Sequence, residues 1–338
     1  MARERALVVG AGGISGAWFP RLLQERVHIV GVVDLNLEAA RGRVREYGLD
    51  CEASTDLRAM LRGTQPDFVV DLTVPETHCA VTCAALRGGC HVIGEKPMAS
   101  SMAEARRMVR TAEKTGRLYM VSQSRRWNGK HDVIRRAIAA GRIGALTTLN
   151  CDFYIGAHFG GFRDEMPSPL ILDMAIHQFD LARYFSGADP VAVYCREFNP
   201  VGSWYAGDAA ASMIFEMTGG IIFTFRGSWC AEGCHTSWNG DWRFIGDRGT
   251  IIYEHDQDPW GQVVAGTEGF HRPLKPVKLP AARVKHGDMH GALRELLAFI
   301  RSGKQPQTEC HDNIRSLAMV FAAIESAREG KRVPVRGL

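Results

Sequence analysis

The chain has 338 residues, of which 46% are hydrophobic and 23% charged, and its net charge is +4. That length accommodates two domains of about 150 residues, each with a core of its own. The small net charge, with no block of five or more like charges, argues against nucleic-acid or membrane-surface binding. No stretch approaches the ~20 apolar residues of a membrane span, and the run Ala6 to Gly10 is too short for a signal-peptide core. The nine cysteines form no CxxC pair and no regular framework, which fits reduced thiols in a cytoplasmic protein.

The first third of the chain alternates continuous apolar runs with helical patterns. Ala6 to Gly10 reads as a strand, and the glycine turn after it opens a helix carrying Ile14, Ala17, Trp18 and Leu22 on one face. His28 to Val33 is a second strand, closed by Asp34, and Leu35 to Tyr47 is a helix ended by Gly48. Asp67 to Leu72 and His91 to Gly94 are strands on either side of a helix over Glu76 to Arg87. A serine-capped helix over Ser101 to Lys114 then leads to a last strand, Leu118 to Ser122. Apolar strands that alternate with helices predict a doubly wound parallel sheet, an α/β domain over residues 1–124.

Gly10, Gly12 and Ser15 occupy the three positions of a dinucleotide-binding fingerprint. The first glycine permits the tight turn and the second lets the backbone approach a pyrophosphate on the positive end of the helix. The small third residue allows close helix–strand packing. Gly13 and Ile14 belong to the same turn. Asp34 stands 22 residues after Gly12, where a carboxylate accepts hydrogen bonds from adenosine ribose hydroxyls and repels a 2′-phosphate. The pattern predicts NAD, in preference to NADP.

From residue 125 the pattern changes to that of an α+β domain reaching residue 338. After a helix over Asp132 to Ala140 come the strands Leu146–Tyr154, Val191–Phe198, Ala209–Met217, Ile221–Ser228, Trp242–Ile245 and Thr250–Glu254. Short glycine turns join several of them, which predicts an open, mostly antiparallel sheet. Leu170 to Phe185 reads as a helix, as do Met289 to Ser302 and His311 to Glu329, and Pro259 to Pro280 reads as an irregular surface excursion.

Two further constellations identify a family. Glu95-Lys96-Pro97 follows the strand that ends at Gly94, and loops at the carboxyl ends of parallel strands line the ligand crevice. Asp173 and His177 lie four residues apart within a helical pattern, one turn from each other. Together with the glycine turn, with Thr73-Val-Pro75-x-x-His78 and with Gly141-Arg-Ile-Gly144, they make the chain resemble the glucose-fructose oxidoreductase/inositol dehydrogenase family, Gfo/Idh/MocA. The resemblance implies an N-terminal Rossmann domain that also uses Thr73, Pro75, His78, Glu95 and Lys96 around the cofactor. It implies that Lys96, Asp173 and His177 match the family's catalytic residues, and that the C-terminal sheet forms homodimers or homotetramers. In many members the lysine–proline peptide is cis. Where many members carry a glycine-rich stretch before the Asp-x-x-x-His segment, this chain has Met166-Pro-Ser-Pro-Leu170.

The implied chemistry is oxidation of a secondary alcohol of a sugar, cyclitol or related polyol. His177 is the candidate base, Asp173 orients it, and Lys96 hydrogen-bonds the reacting oxygen. Arg125 and Tyr154, with Lys96, Asp173 and His177, are the candidate substrate contacts; Arg126, adjacent to Arg125, cannot face the same way on a strand. Asp180 reads as a surface charge or a partner of Arg183. His158 is a further candidate beside the cleft, and the tryptophans at 204, 229, 238 and 242 read mostly as core or oligomer interface. Cys230-x-x-x-Cys234-His235 lacks zinc-knuckle spacing, so no metal is expected. Rival readings are an NAD-retaining glycosidase or lyase, and a cofactor-sensing regulator without catalysis; the second expects Lys96 or His177 to be replaced, and both are present.

Overall fold

The computed structural model describes residues 3–336. It divides into two compact units: one runs to Ser124 and includes Asp288–Leu317, and the other comprises Arg125–Gly287 and the chain from Ala318 onward. Residues 288–317 thus belong with the first unit instead of the second domain expected for them. The outermost residues of the two expected domains, 1–2 and 337–338, lie outside the described residues.

In the first unit β1 (Arg5–Val9), α1 (Ser15–Gln24), β2 (His28–Val33), α2 (Leu37–Glu46), β3 (Glu52–Ser54), α3 (Leu57–Thr64), β4 (Phe68–Asp71), α4 (Pro75–Arg87), β5 (His91–Gly94), α5 (Met102–Thr115) and β6 (Tyr119–Val121) alternate along the chain. The strands form one parallel sheet in the order β3-β2-β1-β4-β5-β6. The order reverses between β1 and β4, and in such sheets ligands bind at the carboxyl ends of the strands beside that reversal. Continuous burial explains the apolar strands: β4 is buried throughout, and β2 from its second residue. Side-chain caps set the helix starts, with Asn36 accepting from the amides of Glu38 and Ala39, and Ser101 from that of Glu104. The core face of α1 is Ser15, Trp18, Phe19 and Leu22; Ile14, expected on it, precedes the helix and is 40% exposed. Pro20 inside α1 cannot donate to the carbonyl of Gly16, and the Tyr47 hydroxyl donates there instead at 3.4 Å while its ring stacks on Phe19.

The second unit carries α6 (Gly129–Ala139), β7 (Leu146–Tyr154), a π-helical segment (Leu170–Ala175) that runs into α7 (Ile176–Ser186), and then β8 (Pro190–Phe198), β9 (Ala210–Met217), β10 (Ile222–Ser228), β11 (Asp241–Gly246), β12 (Gly249–Tyr253), β13 (Trp260–Val264) and β14 (Leu274–Pro276). Helix α8 (Asp288–Ser302) then belongs to the first unit, α9 (Cys310–Glu329) starts in the first unit and ends in the second, and the chain closes with β15 (Val333–Pro334). The nine-stranded sheet runs β14-β13-β12-β11-β7-β10-β9-β8-β15 and is antiparallel except where β7 pairs with β10. The segment expected to be an irregular excursion supplies β13 and β14 on the sheet edge, where exposure hides the alternation a strand would show.

One face of this sheet packs on α7. Phe179 meets Phe215 edge-on at 5.0 Å and Phe185 meets Trp242 at 5.2 Å. The other face stays open, with Val191, Tyr194, Phe198 and Ile214 each more than 40% exposed. Helix α7 is buried on nearly every side, and within it Asp180, expected as a surface charge or a partner of Arg183, is fully buried, with Arg183 Nη1 4.0 Å away. Its carboxylate accepts both Nε (2.8 Å) and Nη2 (2.6 Å) of Arg126, while Arg183 turns chiefly to Asp189 at 3.0 Å. Removing one partner of such a buried pair typically costs about 3–5 kcal/mol, so the pair pins the start of the unit to its central helix.

Candidate active site

In the first unit, every expected cofactor residue lies at the carboxyl edge of the parallel sheet. Gly10 follows β1 with φ +100°, and a Cβ added there would stand 2.6 Å from the carbonyl oxygen of Leu72, so the turn requires glycine. A Cβ on Gly12 or Gly13 would meet nothing within 4 Å, which leaves the space above the turn open to a pyrophosphate. Ser15 is buried and its hydroxyl donates to the Gly12 carbonyl at 2.7 Å, which tightens the first turn of α1. Asp34, just after β2, accepts from the Ala11 amide at 2.7 Å and from the Asn36 amide at 2.8 Å, so both oxygens are oriented before any ribose arrives. These residues suit a dinucleotide. Arg43, which sequence reasoning passed over, donates to the carbonyls of Ala11 and Gly12 at 3.3 and 3.0 Å and adds positive charge beside the turn.

The loops after β4 and β5 complete this edge. Thr73 donates its hydroxyl to Asp71 at 2.6 Å, and Pro75 opens α4 as its first residue. His78 is 1% exposed, with one ring nitrogen 2.9 Å from the Thr73 carbonyl oxygen and the other 2.9 Å from that of Pro97. The Lys96–Pro97 peptide is cis. Glu95 accepts from the indole N–H of Trp18 at 2.8 Å, and its second oxygen accepts from the Lys96 amide at 3.3 Å. Burial pushes the Glu95 carboxyl up, against the opposing pull of that indole and of the Lys96 and His78 charges. Trp18 reads in the sequence as one more core position of α1; its hydrogen bond shows only in the fold.

In the second unit Asp173 and His177 lie on the segment that enters α7, but the backbone is π-helical through Ala175. A spacing of four therefore does not place them one regular α-turn apart. Asp173 accepts from Arg163 Nε at 2.8 Å, and the Arg163 guanidinium lies over the rings of Phe159 and Phe162 at 5.0 and 4.8 Å. Nothing in the glycine-flanked loop around Arg163 marks it in the sequence. His177 is buried. Arg125 sits in a 3₁₀ turn, not on a strand, and donates to the Trp238 carbonyl. Gln178, with its amide turned to suit both neighbours, accepts from Arg125 and donates to the Met174 carbonyl, each at 2.9 Å. Beneath it, buried His131 meets the Arg125 carbonyl oxygen at 2.8 Å, and burial lowers the His131 pKa to about 4.

The proline segment before Asp173 is tightly packed. The Ser168 carbonyl accepts from Leu172, the Ser168 hydroxyl donates to Glu197 at 3.0 Å, and the Pro167 carbonyl accepts from Asp208. A Cβ on Gly207 would lie 2.2 Å from that Pro167 oxygen. Tyr154 ends β7 half-buried. His158 stacks on Trp204 and meets Glu232 at 2.8 Å. Trp229 and Trp242 are buried, whereas Trp238 is half exposed. Cys230 contacts Ser203 at 3.2 Å and His235 accepts from the Gly156 amide, so local structure accounts for both. Among the described residues no helix is long and apolar enough to cross a membrane.

Two family models match the chain: the Gfo/Idh/MocA oxidoreductase family, NAD-binding Rossmann fold, over residues 5–123, and the Gfo/Idh/MocA C-terminal domain over residues 131–252. The chain is 26% identical to the D-apiose dehydrogenase of Paraburkholderia graminis, over 92% of this chain and 84% of that protein. It is likewise 26% identical to an inositol 2-dehydrogenase of Rhizobium meliloti, over 91% of each. Among solved structures, an Agrobacterium radiobacter oxidoreductase in complex with NAD+, L-tartaric acid and magnesium shares the fold, with a TM-score of 0.85, 21% identity and 99% of each chain covered. The protein belongs to the Gfo/Idh/MocA family and is an oxidoreductase with an NAD-binding Rossmann domain.

Proposed function

We propose that this oxidoreductase uses NAD to oxidise or reduce a secondary alcohol or ketone of a sugar, cyclitol or related polyol. The observation that carries the reading is internal to the first unit: Lys96 leaves the same carboxyl edge of the parallel sheet as the glycine turn. An ammonium there can donate to the oxygen of a substrate whose carbon exchanges hydride with the nicotinamide. The dehydrogenase relatives acting on D-apiose and on inositol favour a polyhydroxylated substrate.

The chain's own residues take distinct roles on this reading. The amide-rich turn Gly10–Ser15 holds the pyrophosphate, and Asp34 accepts from the ribose hydroxyls and disfavours a 2′-phosphate, which selects NAD over NADP. Bound NAD supplies the hydride acceptor. Lys96 donates to the reacting oxygen and offsets the charge that develops on it. His177 takes the hydroxyl proton, and Asp173, paired with Arg163, stabilises the imidazolium. Arg125 and Tyr154 contact substrate hydroxyls. The open face of the C-terminal sheet, with Tyr194, Phe198 and Ile214 exposed, serves a homodimer or homotetramer. A panel of aldoses, inositols and sugar acids assayed with NAD and NADP, followed by the absorbance of the reduced cofactor, tests the reading. Turnover without any sugar- or polyol-linked change in cofactor redox state would reject it.

A further inference from the structure

The second unit holds a cavity of about 540 Å³, within the range of small-molecule pockets. It exists because β15 is only two residues long. Val333 and Pro334 pair with Val193 and Ala192, so among the described residues no strand covers the outer edge of β8 beyond Val193. The last turns of α9 stand there instead, tied on by the Ser326 hydroxyl, which accepts from the Cys195 amide at 2.9 Å. Past that tie, Arg196 and Glu197 of β8 and Ile324 and Arg328 of α9 line a gap, together with Ser168 and Asp208 from two loops.

The charges in this lining are not spent on one another. Arg196 makes no hydrogen bond or ion pair with any described residue, and neither does the Asp208 side chain. Arg328 meets only Glu329, its neighbour in the chain, at 3.6 Å, and its side chain stays exposed. Glu197 is 8% exposed; one oxygen accepts from Ser168 at 3.0 Å and the other, Oε1, is buried without a partner. Buried polar atoms are paired in almost every folded protein, by protein, water or ligand. Burial above all, with the neighbouring Asp208 charge, pushes the Glu197 carboxyl up to about 8 against the hydrogen bond from Ser168. At neutral pH the two guanidiniums therefore outweigh the negative charge around them.

We propose that this cavity is a second ligand site, which binds a small hydroxylated oxyanion, a sugar acid or a sugar phosphate. Arg196 and Arg328 take the anion, since a guanidinium fork matches carboxylate and phosphate oxygens alike. Asp208 and Glu197 take the ligand's hydroxyls. Lys96, Arg125, Tyr154, Asp173 and His177 are all absent from the lining, so the site is separate from the candidate active site. Its wall is nevertheless continuous with the segment bearing Asp173. The Ser168 carbonyl accepts from Leu172, and the Pro167 carbonyl accepts from Asp208.

The test is isothermal titration of the full-length protein, without added NAD so that turnover adds no heat, against D-gluconate, D-glucose 6-phosphate and inorganic phosphate. At least one of the two hydroxylated anions is expected to bind, about 10-fold or more tighter than inorganic phosphate, and to raise Tm. Preference for gluconate or for the phosphate ester then assigns the anion. Arg196 is exposed, so Arg196→Ala keeps the fold, and its unliganded melt checks this. Arg196→Ala should weaken binding about 10- to 100-fold, the loss of a charge-assisted hydrogen bond, while Lys96→Ala changes it less than about threefold. Ala327→Trp, which fills the cavity, should abolish binding. No binding of either hydroxylated anion overturns the proposal, as does inorganic phosphate binding equally well. Binding lost in Lys96→Ala but kept in Arg196→Ala would place the ligand in the candidate active site and overturn it too.

Discussion

Arg163 donates its Nε to Asp173 at 2.8 Å while its guanidinium lies over the rings of Phe159 and Phe162. The carboxylate expected to serve His177 is thus held by a cation brought from a loop ten residues away. A charge-assisted hydrogen bond of this kind contributes about 1.5–3 kcal/mol. Arg163→Ala is therefore expected to lower kcat/KM about 10- to 100-fold. Arg163→Lys restores only part of it, because a lysine lacks the flat fork that stacks on aromatic rings. Steady-state kinetics on the three proteins measures this, and an unchanged kcat/KM in Arg163→Ala would separate Arg163 from Asp173 functionally.

On the proposed function, Asp34 is the residue on which cofactor choice turns. Its carboxylate is held by the amides of Ala11 and Asn36. Asp34→Ala is expected to raise the KM for NAD about 10-fold, the loss of one to two hydrogen bonds to a charged group. It also removes the repulsion of a 2′-phosphate, so the preference for NAD over NADP narrows. Initial rates with both cofactors check this; a preference that stays constant places the selection elsewhere.

Two buried groups in the second unit give stability opposite pH dependences. Burial depresses His131 to about 4, so between there and its unfolded value near 6.5 the unfolded state binds more protons. Its contribution is complete above pH 6.5 and is lost as pH falls toward 4, by up to about 3 kcal/mol. Glu197, whose Oε1 is buried without a partner, is pushed up to about 8 by burial. Here the folded state keeps the proton longer, so stability is lost as pH rises from about 4.5 toward 8. Glu197→Gln, which keeps the hydrogen bond from Ser168, is expected to match wild type near pH 4.5 and to exceed it by about 3 kcal/mol at pH 7. Urea titrations at the two pH values measure the difference, and a pH-independent offset would contradict it.

The open face of the nine-stranded sheet carries Val191, Tyr194, Phe198 and Ile214, each more than 40% exposed. Ile214→Asp places a charge in the middle of that apolar patch. Light scattering after size exclusion is expected to show the oligomer shifted to a smaller species with kcat per chain retained or reduced. A wild type that elutes as a monomer would remove the proposed interface.

The parts of the molecule legible in the sequence are those encoded by neighbours in the chain. The glycine turn, the strand before it and Asp34 each show as a local pattern, and continuous burial wrote β2 and β4 as apolar runs. Strand β3 and helix α3 left no such trace, because the strand is three half-exposed residues and the helix buries only Met60 and Leu61. Edge strand β14 and its neighbour β13 were masked for the same reason. Interactions across long separations were not legible at all: Arg126 with Asp180 spans 54 residues and Trp18 with Glu95 spans 77. Asp173 and His177 were visible as a spacing, but the π-helical backbone that changes their relation, and the arginine that holds Asp173, belong to the fold.

The most direct test of the account is reduction of NAD by wild type and by Lys96→Ala in the presence of the best substrate from the sugar and polyol panel. Wild type is expected to reduce NAD with saturation kinetics. Lys96→Ala should lose at least 100-fold in kcat, on the order of 3 kcal/mol of transition-state stabilisation, while binding NAD with a Kd within about threefold of wild type. Full turnover by Lys96→Ala, or the absence of NAD-linked turnover of any sugar or polyol by the wild type, would contradict the account.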